Sequence, residues 1–291
     1  MYHFLSLLTG LLIAVMIAVN GGLTVQYGVY TAVVIIHITG LIPITAVVLI
    51  KRERPFGSRH AWFLYLGGAI GVLTTAFNNF AFGRISVSSI LALELFGQAI
   101  IGLLIDQYGL FGMAKYPFAK QKLIGLSLII AGIASMLTNF EIAAVAVSFA
   151  AGVTIVLSRT LNAKLSELTS VRISSFYNYI IGLAVSIPAL LLLGRNETPL
   201  TEFSFSPDWY IYTGGLLGLL VVLISNIVVV KISAFYLTLL IFIGQVFSGI
   251  LIDAVITREF SFRNLIGGIL VAAGLSVNLL LDSKRFKAAS A

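Results

Sequence analysis

Cysteine is absent from the 291 residues of the chain, and charged residues are scarce. The lack of cysteine excludes disulfides, thiolate nucleophiles and metal sites built on cysteine. Only 10% of the residues are charged whereas 59% are hydrophobic, and the mean hydropathy is +1.07. A water-soluble globule of this length cannot bury so much apolar surface. The composition therefore predicts an integral membrane protein.

Motifs for catalysis and nucleotide binding are also missing. The sequence contains no Gly-x-Ser-x-Gly, no His-Glu-x-x-His and no Walker loop, so it predicts neither an enzyme, a metal site nor a cofactor. The net charge of +7 does not predict nucleic-acid binding, because the basic residues cluster between apolar runs, as membrane orientation requires. The N-terminus lacks the basic start and cleavage site of a removable signal peptide, so the first apolar run is expected to remain as a span.

Ten apolar runs are long enough to approach the thickness of the hydrocarbon core, about 30 Å at 1.5 Å per residue. Several of them, such as residues 125–137, are apolar on every face, which indicates helices. The runs cover roughly residues 3–26, 29–50, 61–83, 86–106, 121–138, 142–163, 170–193, 209–230, 233–252 and 264–281. The predicted fold is an all-α membrane protein with ten transmembrane helices.

The orientation of these helices follows from lysine and arginine, which stay in the cytoplasm when they lie close to span ends. All but four of the 18 basic residues fall in or close to the even-numbered connections, or in the C-terminal segment. They include Lys51, Arg52, Arg54, Arg59, Lys115, Lys120, Lys122, Arg159, Lys164, Arg172, Lys231, Lys284, Arg285 and Lys287. The other four are Arg84, Arg195, Arg258 and Arg263. Both termini are therefore predicted to be cytoplasmic.

An internal repeat organises the chain. Trp62 corresponds to Trp209 at an offset of 147 residues, and Asn20 corresponds to Asn162 at an offset of 142. The first offset also matches Gly67/Gly214, Gly68/Gly215, Gly71/Gly218, Asn79/Asn226, Ile85/Ile232, Ser86/Ser233, Gly97/Gly244, Gln98/Gln245 and Asp106/Asp253, and the second matches Gly40/Gly182, Gly125/Gly267 and Gly132/Gly274. We therefore divide the chain into five-helix halves, residues 1–139 and 140–291. Because five is odd, the second half is expected to be inverted in the membrane.

Inverted repeats supply two similar arrangements, one open to each side of the membrane, which is the geometric basis of alternating access. The sequence therefore favours a transporter with a central cavity lined by the first to fourth helices of each half. The alternative is a duplicated packing unit without a transport role, in a membrane scaffold or a sensor.

These motifs resemble those of a known family. Asn20 with Leu23, the glycine cluster from Trp62 to Gly71, Gly97-Gln98, and Leu104-Ile105-Asp106 followed by residues 108–112 are similar to the YdcZ-type family of bacterial inner-membrane exporters. That family is similar to the drug/metabolite transporter superfamily, whose five-span units form inverted pairs. The resemblance implies a multi-pass protein of the bacterial inner (plasma) membrane with transport-like architecture. It does not imply a substrate.

The fourth run contains an acidic residue, Glu94, among apolar neighbours. An ionisable group in a span is costly unless it faces protein or water, and it is by default a functional hypothesis. Burial favours the protonated form, so the carboxyl could exchange a proton for a cation. Gln98 lies one turn further on the same helix face. The repeat places Ile241 at the position of Glu94, so this acid belongs to one half only. The structural alternative is a protonated acid bonded to a neighbouring helix.

The remaining candidate substrate-binding residues are polar or aromatic side chains within predicted spans. Gln98 and Gln245 should approach each other near the symmetry axis if the repeat is inverted. Each amide suits a polar substrate and equally suits bonding between helices. A lone histidine is more often packed than metal-bound. The set comprises Gln245, Asn20, Asn162, His37, Tyr177 and Asn178.

We predict a secondary transporter that exports a small organic molecule, with an organic cation favoured because Glu94 is the deepest charge. Coupling to a proton, or to another ion, would occur at Glu94. The expected partners are the substrate and the lipid bilayer, with no nucleic acid. The chain is expected to act as a monomer of two fused repeats or as a homodimer.

Overall fold

The computed structural model describes residues 1–57, 60–110, 120–137, 141–197, 204–229, 231 and 234–289. These residues form ten α-helices: α1, Tyr2–Tyr27; α2, Val29–Ile50; α3, Leu66–Ala81; α4, Val87–Tyr108; α5, Lys122–Met136; α6, Ile142–Leu168; α7, Val171–Leu193; α8, Gly214–Val229; α9, Ala234–Thr257; and α10, Phe262–Ala289. The predicted all-helical fold and the number of helices are confirmed.

The matched residues Ile232 and Ser233, the motif end Phe111 and Gly112, and the basic residues Arg59 and Lys115 lie outside the described residues, as do the side chains of Asp106, Asn226, Lys284, Arg285 and Lys287.

Seven of the described helices are long and apolar enough to cross a membrane, namely α1, α2, α4, α6, α7, α9 and α10. The other three are shorter than predicted: α5 has 15 residues, and α3 and α8 have 16 each. A helix of 15 residues is about 22 Å long, less than the hydrocarbon thickness. The helices α3 and α8 each continue a 3-10 helix, Trp62–Tyr65 and Trp209–Thr213, so the chain turns more tightly where these runs begin.

Polar residues define several helix ends. The Ser86 hydroxyl accepts a hydrogen bond from the Ser89 N–H at the start of α4, and the Ser170 hydroxyl accepts one from the Ile173 N–H at the start of α7. These are N-caps, which satisfy donors that the helix itself leaves free. After α4, Gly109 has a φ of +64°, a left-handed conformation that glycine adopts without strain and that ends the helix.

The chain forms two compact packing units. Unit 1 comprises Met1–Val15, Gly83–Phe149 and Val221–Ala291, and unit 2 comprises Met16–Phe82 and Ala150–Leu220. Each unit draws segments from both predicted halves. The packing units and the sequence repeats are therefore two different divisions of the chain.

In unit 1, α5 and α10 cross with their backbones in direct contact. A β-carbon on Gly132 would lie 2.5 Å from the Gly267 carbonyl oxygen, and one on Gly125 would lie 2.5 Å from the Gly274 carbonyl oxygen. Small residues allow this approach, which maximises dispersion contacts between membrane helices. Because the earlier glycine of α5 meets the later glycine of α10, the two helices run antiparallel.

In unit 2, α2 and α7 pack by placing a ring of each helix on a glycine of the other. A β-carbon on Gly182 would overlap the His37 ring, and one on Gly40 would overlap the Tyr179 ring. The two rings lie edge to face with centroids 6.2 Å apart, an arrangement that aromatic pairs prefer. The order of the contacts again makes the two helices antiparallel.

Candidate functional site

Glu94 lies in the most enclosed part of α4. Every residue from Val87 to Leu95 is buried, whichever face of the helix it occupies, and Glu94 itself is 2% exposed. Of the seven helices capable of spanning a membrane, α4 also has the largest buried share. A carboxyl that protein surrounds on all sides does not face lipid. Glu94 therefore faces protein, which is a condition under which a membrane span tolerates an acid.

The two glutamines lie on α4 and α9, which pack against each other in unit 1. Gln245 is buried, whereas Gln98, one turn beyond Glu94, is half-buried. In the described part of the chain, no hydrogen bond joins the two amides. Beside Gln245, a β-carbon on Gly10 would lie 2.5 Å from the Gln245 backbone nitrogen, so α1 lies directly against the α9 backbone.

Asn162 and Asn178 bond to each other in unit 2. The Asn162 Nδ2 donates to Asn178 Oδ1 at 2.8 Å and to the Ser158 hydroxyl at 3.3 Å. The Ser158 hydroxyl in turn donates to the Gly67 backbone carbonyl at 2.8 Å, and the Ser174 hydroxyl donates to the Asn162 backbone carbonyl at 2.7 Å. This network joins α3, α6 and α7, and it favours packing over ligand binding for these two asparagines.

Asn20 and His37 occupy different surroundings in the same unit. Asn20 is 7% exposed, and among the described residues its Oδ1 atom has no hydrogen-bond partner. His37 is also buried, and its Nδ1 lies 2.7 Å from the Val33 carbonyl oxygen. Because a carbonyl only accepts, Nδ1 carries the hydrogen, which leaves Nε2 as the acceptor of the neutral ring.

Tyr177 belongs to an aromatic cluster where the α2–α3 connection meets α7. Its ring centroid lies 4.7 Å from that of Tyr65 and 6.0 Å from that of Phe56. Its hydroxyl donates to the Pro55 carbonyl at 2.8 Å. The side chain therefore ties the connection to α7, and this contact supports a packing role.

A buried acid that was not among the predicted site residues, Asp253 of α9, caps α4. Its Oδ1 accepts from the Val87 N–H at 2.7 Å, and its Oδ2 accepts from the Ser88 N–H at 2.9 Å and from the Ser88 hydroxyl at 2.5 Å. The Asn264 amide of α10 also donates to the Ser88 hydroxyl, at 3.1 Å. The carboxylate thus fixes the start of the helix that carries Glu94. The Asp106/Asp253 match in the repeat was the sequence signal for this residue.

Two further acids, also absent from the predicted set, connect the ends of α2 and α7. Glu197, after α7, accepts from the backbone N–H groups of Tyr30 and Thr31 at 2.9 Å each, at the start of α2. Glu53, after α2, accepts from the Ser170 hydroxyl at 2.7 Å and forms an ion pair with Arg172, at the start of α7. Each acid therefore lies just beyond one helix and contacts the first turn of the other.

The ion pair determines the protonation of Glu53. Partial burial raises the pKa of its carboxyl, but hydrogen bonds from Ser170 and Arg172, together with the charges of Arg172 and Lys51, outweigh burial and bring the pKa below its ordinary value. At neutral pH Glu53 is therefore a carboxylate, and the contact with α7 is charge-assisted.

Seven apolar helices of spanning length in the described chain indicate a multi-pass membrane protein. A family model described as "Putative inner membrane exporter, YdcZ" matches the chain twice, over residues 1–135 and 143–277. The chain belongs to this family, which confirms the resemblance found in the sequence. The family is one of exporters of the inner membrane, which is not a class of enzyme.

The fold also occurs in a solved structure. A crystal structure with 16% sequence identity matches over 97% of this chain and 96% of the other, with a TM-score of 0.61. At this identity the likeness shows the fold alone. None of the curated proteins matches the chain.

Proposed function

We propose that the protein is a secondary transporter that exports a small organic molecule, with an organic cation favoured, by alternating access. In this proposal the five-helix halves 1–139 and 140–291 have opposite orientations, and both termini are cytoplasmic. Glu94 exchanges a proton for the substrate, with Gln98 and Gln245 as polar neighbours in the same unit.

Reciprocal packing of corresponding helices supports the inverted halves. Three helix pairs that correspond in the repeat, α2/α7, α4/α9 and α5/α10, each pack with the start of one helix near the end of the other. An axis in the membrane plane relates corresponding helices of an inverted repeat in this way. The double match of one family model, whose two regions begin 142 residues apart, supports the duplication itself.

The burial of Glu94 is the observation that carries the transport mechanism. An ionised carboxyl in an apolar interior must bind a cation or hydrogen-bond donors, or it takes up a proton. Competition between a proton and a cationic substrate for one such group couples their movements, because binding of either requires release of the other.

Uptake by liposomes with an acidic lumen tests the coupling. Choline is a suitable probe because its permanent charge prevents accumulation as a neutral base. The purified protein should drive its uptake above that of protein-free liposomes, and Glu94→Gln should abolish the pH-driven part. The control is Glu141→Gln, which alters a half-exposed acid whose ion pair with Arg84 is also exposed and which should keep wild-type flux. Undiminished pH-driven uptake by Glu94→Gln rules out proton exchange at this residue.

A further inference from the structure

The two asparagines that correspond in the repeat, Asn20 and Asn162, occupy equivalent places with unequal surroundings. Each amide lies against a glycine in the first turn of a short helix: a β-carbon on Gly214 of α8 would overlap the Asn20 amide, and one on Gly67 of α3 would overlap the Asn162 amide. Asn162 donates two hydrogen bonds to protein through its Nδ2, whereas Asn20 Oδ1 is buried without a partner among the described residues. The geometry is therefore repeated, but the hydrogen bonds are not.

The sequence accounts for this difference. The three side chains that bond to Asn162 are Ser158, Ser174 and Asn178. At the same offset of 142 residues, the positions around Asn20 are Met16, Ala32 and Ile36. Ser158 and Asn178 accept hydrogen bonds from Asn162 Nδ2, and Ser174 donates to the Asn162 backbone carbonyl. Met16, Ala32 and Ile36 cannot form such bonds, and none of the three can donate to Asn20 Oδ1, which has no partner among the described residues.

An unsatisfied buried carbonyl is costly for folding, by roughly 1–3 kcal/mol. An apolar side chain at position 20 would not incur that particular cost, yet the position carries an amide. Buried polar groups without partners call for a specific explanation, and one explanation is a ligand that supplies the missing donor.

A second acceptor lies one helical turn further along α8. A β-carbon on Gly218 would lie 2.9 Å from the Tyr179 hydroxyl oxygen and 3.5 Å from the Met16 sulfur. The Tyr179 hydroxyl donates its hydrogen to the Gly215 carbonyl at 2.9 Å, so its oxygen retains capacity to accept. The face of α8 that carries Gly214 and Gly218 thus contacts two hydrogen-bond acceptors, Asn20 Oδ1 and the Tyr179 hydroxyl, and also the Met16 thioether.

We propose that Asn20 accepts a hydrogen bond from an uncharged hydroxyl or N–H group of the transported molecule and that Tyr179 lines the same site. Both groups are neutral acceptors, so they select a donor rather than a charge. This inference rests on the proposed transport of an organic cation, and it specifies that the substrate carries a donor in addition to its positive charge. Asn162 has the equivalent place in the repeat but a structural role.

Two cations of equal charge and similar size provide the test. Choline carries a hydroxyl, and propyltrimethylammonium carries a methyl group in its place. Binding to the purified full-length protein is measured by calorimetry for the wild type, Asn20→Ala and Asn162→Ala. We expect the wild type to bind choline about tenfold more tightly, which corresponds to one hydrogen bond. Asn20→Ala should lose this preference and Asn162→Ala should keep it. Equal affinities in the wild type, including binding of neither cation, overturn the proposal.

Thermal unfolding without ligand separates a binding role from a packing role. Asn162→Ala removes a bonded amide, and we expect it to lower Tm by several degrees. Asn20→Ala removes an amide whose oxygen is unsatisfied and should lower Tm by less. If Asn20→Ala fails to fold or is destabilised as much as Asn162→Ala, the amide is structural and the proposal is wrong. Neither of these measurements requires transport. A wild-type protein that binds choline preferentially but shows no pH-driven uptake would therefore refute the proposed function and leave the proposed role of Asn20 intact.

Discussion

Replacing Gly132 with alanine tests the direct contact of α5 and α10. The added β-carbon would lie 2.5 Å from the Gly267 carbonyl oxygen and 2.9 Å from the Val271 backbone nitrogen. Both atoms belong to backbone, so neither can turn aside, and the helices must separate by almost 1 Å to restore an ordinary contact. Overpacking of this kind costs about 1–3 kcal/mol. The change also removes conformational freedom from the unfolded chain, a stabilisation of about 0.5–1 kcal/mol.

The matched control is Gly102→Ala in α4, where a β-carbon would meet no atom within 4 Å. This variant keeps the stabilisation without the clash, so the two variants should differ by about 1–3 kcal/mol, with Gly132→Ala less stable. Thermal unfolding in detergent, followed by the loss of helical circular dichroism, measures the difference. Equal stability of the two variants would refute backbone contact between α5 and α10.

Two further predictions concern acids that contact helix N-termini. Asp253→Ala leaves two buried N–H groups and a hydroxyl without their acceptor, so it should destabilise the protein by about 2–4 kcal/mol, whereas alanine at the exposed Asp208 should have little effect. Glu53→Gln should cost about 1–2 kcal/mol at pH 7 by removing a charge-assisted contact with Arg172. In the folded protein the pKa of the Glu53 carboxyl lies below its ordinary value of 4.5. The stabilisation that the ionised Glu53 contributes is therefore present above pH 4.5 and is lost as the pH falls through the lowered pKa.

The outcomes that contradict these two predictions are distinct. Equal unfolding temperatures for the Asp253 and Asp208 variants would show that α4 does not depend on the carboxylate for its N-cap. A stability difference between wild type and Glu53→Gln that persists unchanged at pH 3 would show that ionisation of Glu53 does not contribute.

Hydropathy located the helices but not all of their ends. The second run, 29–50, coincides with α2, whereas the sixth and tenth runs, 142–163 and 264–281, continue as helix to Leu168 and Ala289. Hydropathy reports the extent of lipid contact, and a helix whose residues favour helical structure continues beyond it into water. The apolar parts of these helices were therefore predictable, and their polar extensions were not. The runs 61–83, 121–138 and 209–230 overestimated the lengths of α3, α5 and α8.

The candidate site was predictable only in part. Glu94 was identifiable because an acid within an apolar run is conspicuous, and its burial agrees with the expectation that it faces protein. The roles of Asp253, Glu53 and Glu197 were not predictable, since each acid contacts a helix start more than 100 residues away along the chain. The difference between Asn20 and Asn162 likewise depends on neighbours that only the folded chain brings together.

Labelling of single cysteines tests the opposite orientation of the two halves most directly, because the natural chain contains no cysteine to react. Arg84 and Lys231 correspond at an offset of 147 residues and are predicted to lie on opposite sides of the membrane. In intact cells, a membrane-impermeant maleimide should label Arg84→Cys, and it should label Lys231→Cys only after the membrane is permeabilised. Labelling of both variants from the same side would contradict the inverted arrangement on which the proposed transport mechanism depends.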